Sequence, residues 1–223
     1  MPAHPRNLMD EPAVCRLHAA ESVALAQVLS GMTGSHGLYL GVARKFAKGL
    51  PRMGCWTRLR LEGECFDGSV RARADEALPF ADDAFRVVVV SHVLEWTPHA
   101  INLLDEVARV LAPEGELVVV GFHPFSAWLP WLLCRRRPRP MLTAPGWVRQ
   151  RLAGRGVRLV QVRRCGSWLP SRHGTAAPVR QGGGFVLVAR KQRAVVMPLR
   201  SFARRQAAGR RGAWLPGTHR ECA

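Results

Sequence analysis

Two runs, Arg86–Val90 with its four consecutive valines and the wholly apolar Leu117–Val120, constrain what this chain can fold into more than any other feature. A strand with one wet face alternates apolar and polar residues. A continuous run rich in β-branched side chains belongs to a strand covered on both faces. Between the two runs, Pro98 opens a helix whose apolar stripe is Ile101, Leu104, Val107 and Leu111, and Pro113 and Gly115 close it. Strand, helix and strand joined by short connections form a βαβ unit, which requires parallel pairing in a helix-covered sheet. The predicted class is therefore α/β, a mostly parallel sheet with helices on both faces.

The flanks extend this pattern. After Glu11–Pro12, the positions Val14, Leu17, Ala24, Leu25 and Val28 predict an amphipathic helix ending near Ser30–Gly31. Gly34 to Gly37 form a turn before a short apolar strand, Leu38–Val42. Residues 55–61 alternate in a strand-like way, and Gly63 and Gly68 break the chain after them. A helix is expected over Pro145–Ala153, and strands over Val157–Val162 and Phe185–Ala189, the last preceded by a flexible Gly182–Gly184. The expected organisation is an N-terminal helical extension (1–35), one domain (36–193) and a basic, disordered tail (194–223).

At 223 residues with 48% hydrophobic content, the chain can bury a core of its own, which excludes wholesale disorder. No apolar run approaches the roughly 20 residues of a membrane-spanning helix, and no signal-peptide pattern is visible, so a cytoplasmic location is expected. The formal charge of +17 is unevenly placed. Residues 1–134 carry 12 basic and 15 acidic side chains, whereas 135–223 carry 21 basic and one acidic, Glu221. Such asymmetry suits nucleic acid or another anionic surface as partner. All basic residues except Lys45, Lys48 and Lys191 are arginines, and an arginine bias of this kind also follows from a GC-rich genome. Six cysteines without a C-x-x-C pair read as free thiols and offer no zinc-binding pattern.

Three segments together resemble class I S-adenosylmethionine-dependent methyltransferases. They are Leu78-Pro79-Phe80-Ala81-Asp82-Asp83-Ala84-Phe85, then Val87–Ser91, then Ala108-Arg109-Val110-Leu111-Ala112-Pro113-Glu114-Gly115. The Gly121–Ser126 step narrows the resemblance to a group of bacterial methyltransferase-like proteins. It implies a Rossmann-like fold, S-adenosylmethionine as cofactor and a small-molecule acceptor. A non-catalytic scaffold and an RNA-binding or RNA-modifying protein are the alternatives.

The resemblance also implies a site. Gly41 stands at the first position of the glycine-rich loop, but Ala43 and Lys45 replace the next two glycines, and Tyr39 stands where an acid is common. Glu62, 21 residues after Gly41, is placed for the ribose-binding acid, with Glu64 competing. Asp75 stands one residue late for the acid that contacts the adenine amine. Ser91 and His92 would lie under the methionine part of the cofactor. His92 is the candidate general base, because an unperturbed imidazole titrates near neutrality. His123, Pro124 and Ser126 would border the same cleft, either binding substrate or capping the Trp128 helix.

Overall fold

The computed structural model describes residues 9–42, 50, 53–135, 141, 143–170 and 182–193. Ala43 and Lys45 of the glycine-loop segment and the basic tail (194–223) lie outside the described residues. In chain order, the elements are helix α1 (Pro12–Leu29), strands β1 (His36–Gly41), β2 (Cys55–Glu62), β3 (Cys65–Gly68), β4 (Ala72–Arg73) and β5 (Phe85–Ser91). Helix α2 (Ala100–Val110), strand β6 (Leu111–Phe122), helices α3 (Trp128–Arg135) and α4 (Pro145–Ala153), and strands β7 (Val157–Cys165) and β8 (Gly184–Lys191) follow. Among the described residues, no helix is long and apolar enough to cross a membrane.

All eight strands join one sheet in the order β4-β3-β2-β1-β5-β6-β8-β7. Its centre is parallel: β1 pairs with β2 and with β5, and β5 pairs with β6. The expected βαβ unit is thus present, with Val88 opposite Leu117 and Val90 opposite Val119. Both flanks are antiparallel. On one side β2 turns straight back into β3 through Gly63 and Glu64, without an intervening helix; Gly63 has φ +65°, a conformation open to glycine. On the other side β8 inserts antiparallel between β6 and β7.

Alternate residues of the central strands feed two apolar layers, which explains why the runs read as continuous. Leu38, Leu40, Val88, Val90, Leu117, Val119, Phe185 and Leu187 pack with α2 and α4. Tyr39, Val87, Val89, Val118, Val120, Val186 and Val188 pack with Leu25 and Leu29 of α1. Helix α1 joins both layers, since its Val14 and Leu17 belong to the first. Asp105 of α2 receives Arg155, 2.6 Å away, and Arg151, tying α4 to α2.

Two expectations change on folding. The α2 helix stops at Val110 and β6 begins at once, because Leu111 already pairs with Phe85 while Ala112–Gly115 loop out. Gly182–Gly184 are closely packed. A Cβ on Gly183 would run into the Trp128 indole and the Ser167 carbonyl, and one on Gly184 into the Glu21 carboxylate. Glycine is used here for close approach, not for freedom of movement.

Candidate functional site at the carboxyl edge of the sheet

In an open, parallel-centred sheet, ligands bind beyond the carboxyl ends of the strands. Gly41 ends β1 and is the register partner of Ser91, which ends β5. On the other side of β1, Gly41 faces Arg60, so Glu62 projects two residues further along that edge. Gly41, Glu62, Ser91 and His92 therefore lie along one rim. Asp75 stands apart from them, just past β4 at the sheet's outer edge. Arg73 grips it with two hydrogen bonds of 2.9 Å, and that guanidinium holds its carboxyl below the usual range. Glu62 is also paired, to Arg60 from the same strand face. At Gly41 a Cβ would come within 2.6 Å of the Tyr39 ring, so Tyr39 occupies the space that the glycine leaves.

His92 opens the loop after β5. Its backbone takes the left-handed conformation, φ 55°, and its N–H donates to the Val120 carbonyl at 2.9 Å. This turns the imidazole inward, where it is 1% exposed. Nε2 lies 2.9 Å from Glu21 Oε2 of α1, and Nδ1 lies 3.6 Å from Glu95 Oε1. The His18 ring stacks on the His92 ring with centroids 4.7 Å apart.

The electrostatics follow from this geometry. Burial opposes charge on His92, but Glu21 and Glu95 outweigh it and push the imidazole up to about 10. Burial likewise opposes charge on Glu21, yet the His92 cation holds its carboxyl below the ordinary value. Burial, reinforced by the neighbouring imidazolium, lowers His18 to about 4. At neutral pH the cluster is a neutral His18 over a Glu21–His92 ion pair. A general base at His92 would need that proton removed first.

His18, Glu21 and His92 each bring one metal-binding atom within 4.8 Å of the others. The Glu21–His92 contact is of hydrogen-bond length, and the two imidazoles stack on one another.

Glu95, 4% exposed, closes the cluster on the other side. Its Oε1 accepts the Phe122 N–H at 2.8 Å, and its main-chain carbonyl accepts the Met141 N–H at 2.8 Å. Among the described residues, its Oε2 has no hydrogen-bond partner. Glu95, Phe122, His123, Pro124, Leu129, Leu132, Met141 and Thr143 line one pocket. In the turn before α3 the Ser126 hydroxyl donates to the His123 carbonyl at 2.6 Å, and the Trp128 indole donates to the Ser167 carbonyl at 2.8 Å.

Glu21, Glu95 and His18 were not singled out in the sequence. A signal existed for Glu21: it stands four residues after Leu17 and four before Leu25, inside the buried stripe of α1. A carboxylate there needs a buried partner.

The methyltransferase domain family matches residues 53–119. The Escherichia coli (strain K12) protein YafS is 43% identical over 58 residues, covering 26% of this chain and 24% of that protein. Demethylmenaquinone methyltransferase of Clavibacter sepedonicus is 38% identical over 81 residues, covering 36% of this chain and 31% of that protein. The matches thus span a quarter to a third of these relatives' own lengths.

Solved structures are similar across most of the chain at 13% identity. One comes from the complex of the Haloferax volcanii Trm112 methyltransferase activator with a methyltransferase, with TM-score 0.56 over 84% of this chain and 97% of that one. A S-adenosylmethionine-dependent methyltransferase from Thermotoga maritima gives 0.54 over 79% and 92%. The Burkholderia thailandensis 1,6-didemethyltoxoflavin-N1-methyltransferase, solved with its substrate and S-adenosylhomocysteine, gives 0.52 over 80% of each chain. The fold is the Rossmann-like fold of class I methyltransferases.

Proposed function

We propose that this chain, which has the class I methyltransferase fold and a segment matching the methyltransferase domain family, is a S-adenosylmethionine-dependent methyltransferase acting on a small molecule. The observation that carries this reading is the rim formed by Gly41, Ser91 and Glu62 at the carboxyl ends of three adjacent parallel strands. The donor set suits the cofactor. Glu62 is the carboxylate for the ribose hydroxyls, and Ser91 and His92 form the floor beneath the methionine arm. Asp75 is the carboxylate for the adenine amine, and it would have to release Arg73 to serve there.

The cofactor supplies a methyl group already activated by its sulfonium. What remains for the protein is to hold the acceptor in line and keep water out. Glu21 fixes the His92 ring, and His92 in turn sets the path of the loop after β5. The buried carboxylates around that loop favour a cationic ligand.

Calorimetric titration with S-adenosylmethionine and S-adenosylhomocysteine tests this reading. Saturable binding of either, weakened in Glu62→Ala, is the expected result. A folded chain that binds neither would be the non-catalytic scaffold instead.

A further inference from the structure

Phe125 and Trp168 stand together at the surface. The Trp168 indole donates to the Phe125 carbonyl at 3.2 Å, and the two side chains are 81% and 43% exposed. Phe125 follows β6 and Trp168 follows β7. Both strands run antiparallel to β8, hence in one direction, so both residues lie at the carboxyl edge of the sheet. Leu169, next to Trp168, is exposed as well. Met141 meets Pro124 and Leu129 around the Glu95 pocket, and Leu133 lies one turn beyond Leu129 on α3; both are exposed. Among the described residues, this edge holds five of the ten large apolar side chains that stay exposed, and such a concentration marks an interaction surface.

Charge says what covers it. No Asp or Glu stands in the sequence between Glu116 and Glu221. Arg163 and Arg164, both exposed, lie near the end of β7, and burial and then Arg164 lower the imidazole of His123, two residues before Phe125. Glu21 and Glu95 are buried against His92 and present no negative charge to solvent. A second copy of this chain would set arginine against arginine. An RNA strand suits the arginines and stacks on Phe125 and Trp168, but Leu133, Met141 and Leu169 give it no aromatic face. An anionic bilayer surface accepts every one of these groups: phenyl and leucyl side chains sink below the headgroups, an indole sits among them, and guanidinium groups meet lipid phosphates. We propose that this edge docks on an anionic lipid surface, with Phe125, Trp168 and Leu169 entering the headgroup region and Arg163 and Arg164 pairing with lipid phosphates. The contact is peripheral, made by side chains at strand ends and not by a spanning helix.

The probes are vesicles of phosphatidylcholine alone and of phosphatidylcholine mixed equally with phosphatidylglycerol, and co-sedimentation of the full chain is the readout. The chain should bind the mixed vesicles at least about tenfold more tightly than the neutral ones, and salt should weaken that binding without abolishing it. A variant carrying Phe125→Ser, Trp168→Ser and Leu169→Ser keeps every arginine. Its affinity for the mixed vesicles should fall at least about tenfold, with the largest loss at high salt, where apolar contact is what remains. Undiminished affinity would show that the arginines of the chain bind by charge alone, and would overturn the proposal.

Should the triple variant fail to fold, Phe125→Ser alone and the pair Arg163→Ser with Arg164→Ser replace only exposed side chains. Each should weaken binding to the mixed vesicles severalfold, and full affinity in both overturns the proposal. Two other results overturn it too. Single-stranded oligouridine binding that Phe125→Ser removes while vesicle binding persists would make the patch an RNA platform. A dimer in analytical ultracentrifugation that Phe125→Ser dissolves while vesicle binding persists would assign the patch to a second copy. The surface stands apart from the methyl-transfer reading: a chain that binds vesicles through Phe125 but no S-adenosylmethionine keeps the one and loses the other. The reverse result loses this surface alone.

Discussion

Glu21 and His92 lie 71 positions apart in the chain, yet their side chains meet at 2.9 Å with both almost wholly buried. This contact fastens α1 to the loop that follows β5. Helix α1 is thereby part of the machinery at the carboxyl edge. Removing one member of a buried ion pair leaves the other charged and unpaired, at a cost of about 3–5 kcal/mol. Glu21→Ala should destabilise the fold by that amount in urea unfolding. A loss below about 1 kcal/mol would mean that the pair contributes little.

The same pair sets a pH dependence. The folded-state value for His92, about 10, lies above the ordinary 6.5. Its contribution is therefore complete below about pH 6.5 and drains away as pH rises towards 10. Glu21 is held below its ordinary value, so its contribution is present above that value and is lost as pH falls through the lowered one. His18, lowered to about 4, adds a loss of stability between about pH 6.5 and 4, where the unfolded ring takes a proton that the folded ring refuses. Glu95 and Cys165 face the same cluster. Melting temperature against pH should fall on both sides, and the alkaline slope should flatten in Glu21→Gln. An equally steep alkaline slope in that variant would assign the effect to other groups.

Cysteine reactivity offers a separate check. Cys15, Cys55 and Cys134 are exposed, whereas Cys165 is buried and its thiol is pushed up by burial and by Glu21. A thiolate-selective reagent should label the first three in the native chain at pH 8 and spare Cys165 until unfolding. Peptide mapping after a timed pulse reads this directly, and early labelling of Cys165 would contradict the packing of α1 on β7 and β8.

The parallel centre of the sheet was legible because both faces of β5 and β6 are buried, which leaves a continuous apolar run that no half-exposed strand shows. The flanks were not. Nothing in Glu62-Gly63-Glu64-Cys65 distinguishes a strand-to-helix joint from the tight hairpin that forms there. Gly182–Gly184 read as flexible because composition cannot show that Trp128 and Glu21 fill the space beside them. At the site, strand ends placed Gly41, Glu62, Ser91 and His92 on one rim. Glu21 and Glu95 were hidden because their significance lies in partners distant in sequence or across the sheet. Local spacing carries no trace of a contact between α1 and the loop after β5.

The matched sequence segments also have a mechanical explanation, centred on Arg109 of α2. Its Nη1 donates to the Phe80 carbonyl at 2.9 Å and to Asp82 Oδ1 at 2.6 Å, and its Nη2 donates to the Leu78 carbonyl at 3.0 Å. Glu106 orients the guanidinium at 2.7 Å and accepts the Leu78 N–H at 2.9 Å. One planar cation therefore clamps the Leu78–Asp82 turn onto α2, just after the segment that carries Asp75. Lysine keeps the charge but offers one nitrogen in place of a rigid fork, so it cannot serve two carbonyls and two carboxylates at once. Because Arg109 is partly exposed, water replaces some of what is lost. Arg109→Lys should cost about 1–2 kcal/mol in urea unfolding, somewhat below the roughly 1.5–3 kcal/mol of a hydrogen bond to a charged group. The sharper readout is local. Amide exchange at Leu78 should accelerate at least tenfold as the turn lifts, while amides in the β5–β6 ladder should change only by the global loss. Uniform acceleration across both regions would show that Arg109 stabilises the domain as a whole and does not act as a clamp on this turn.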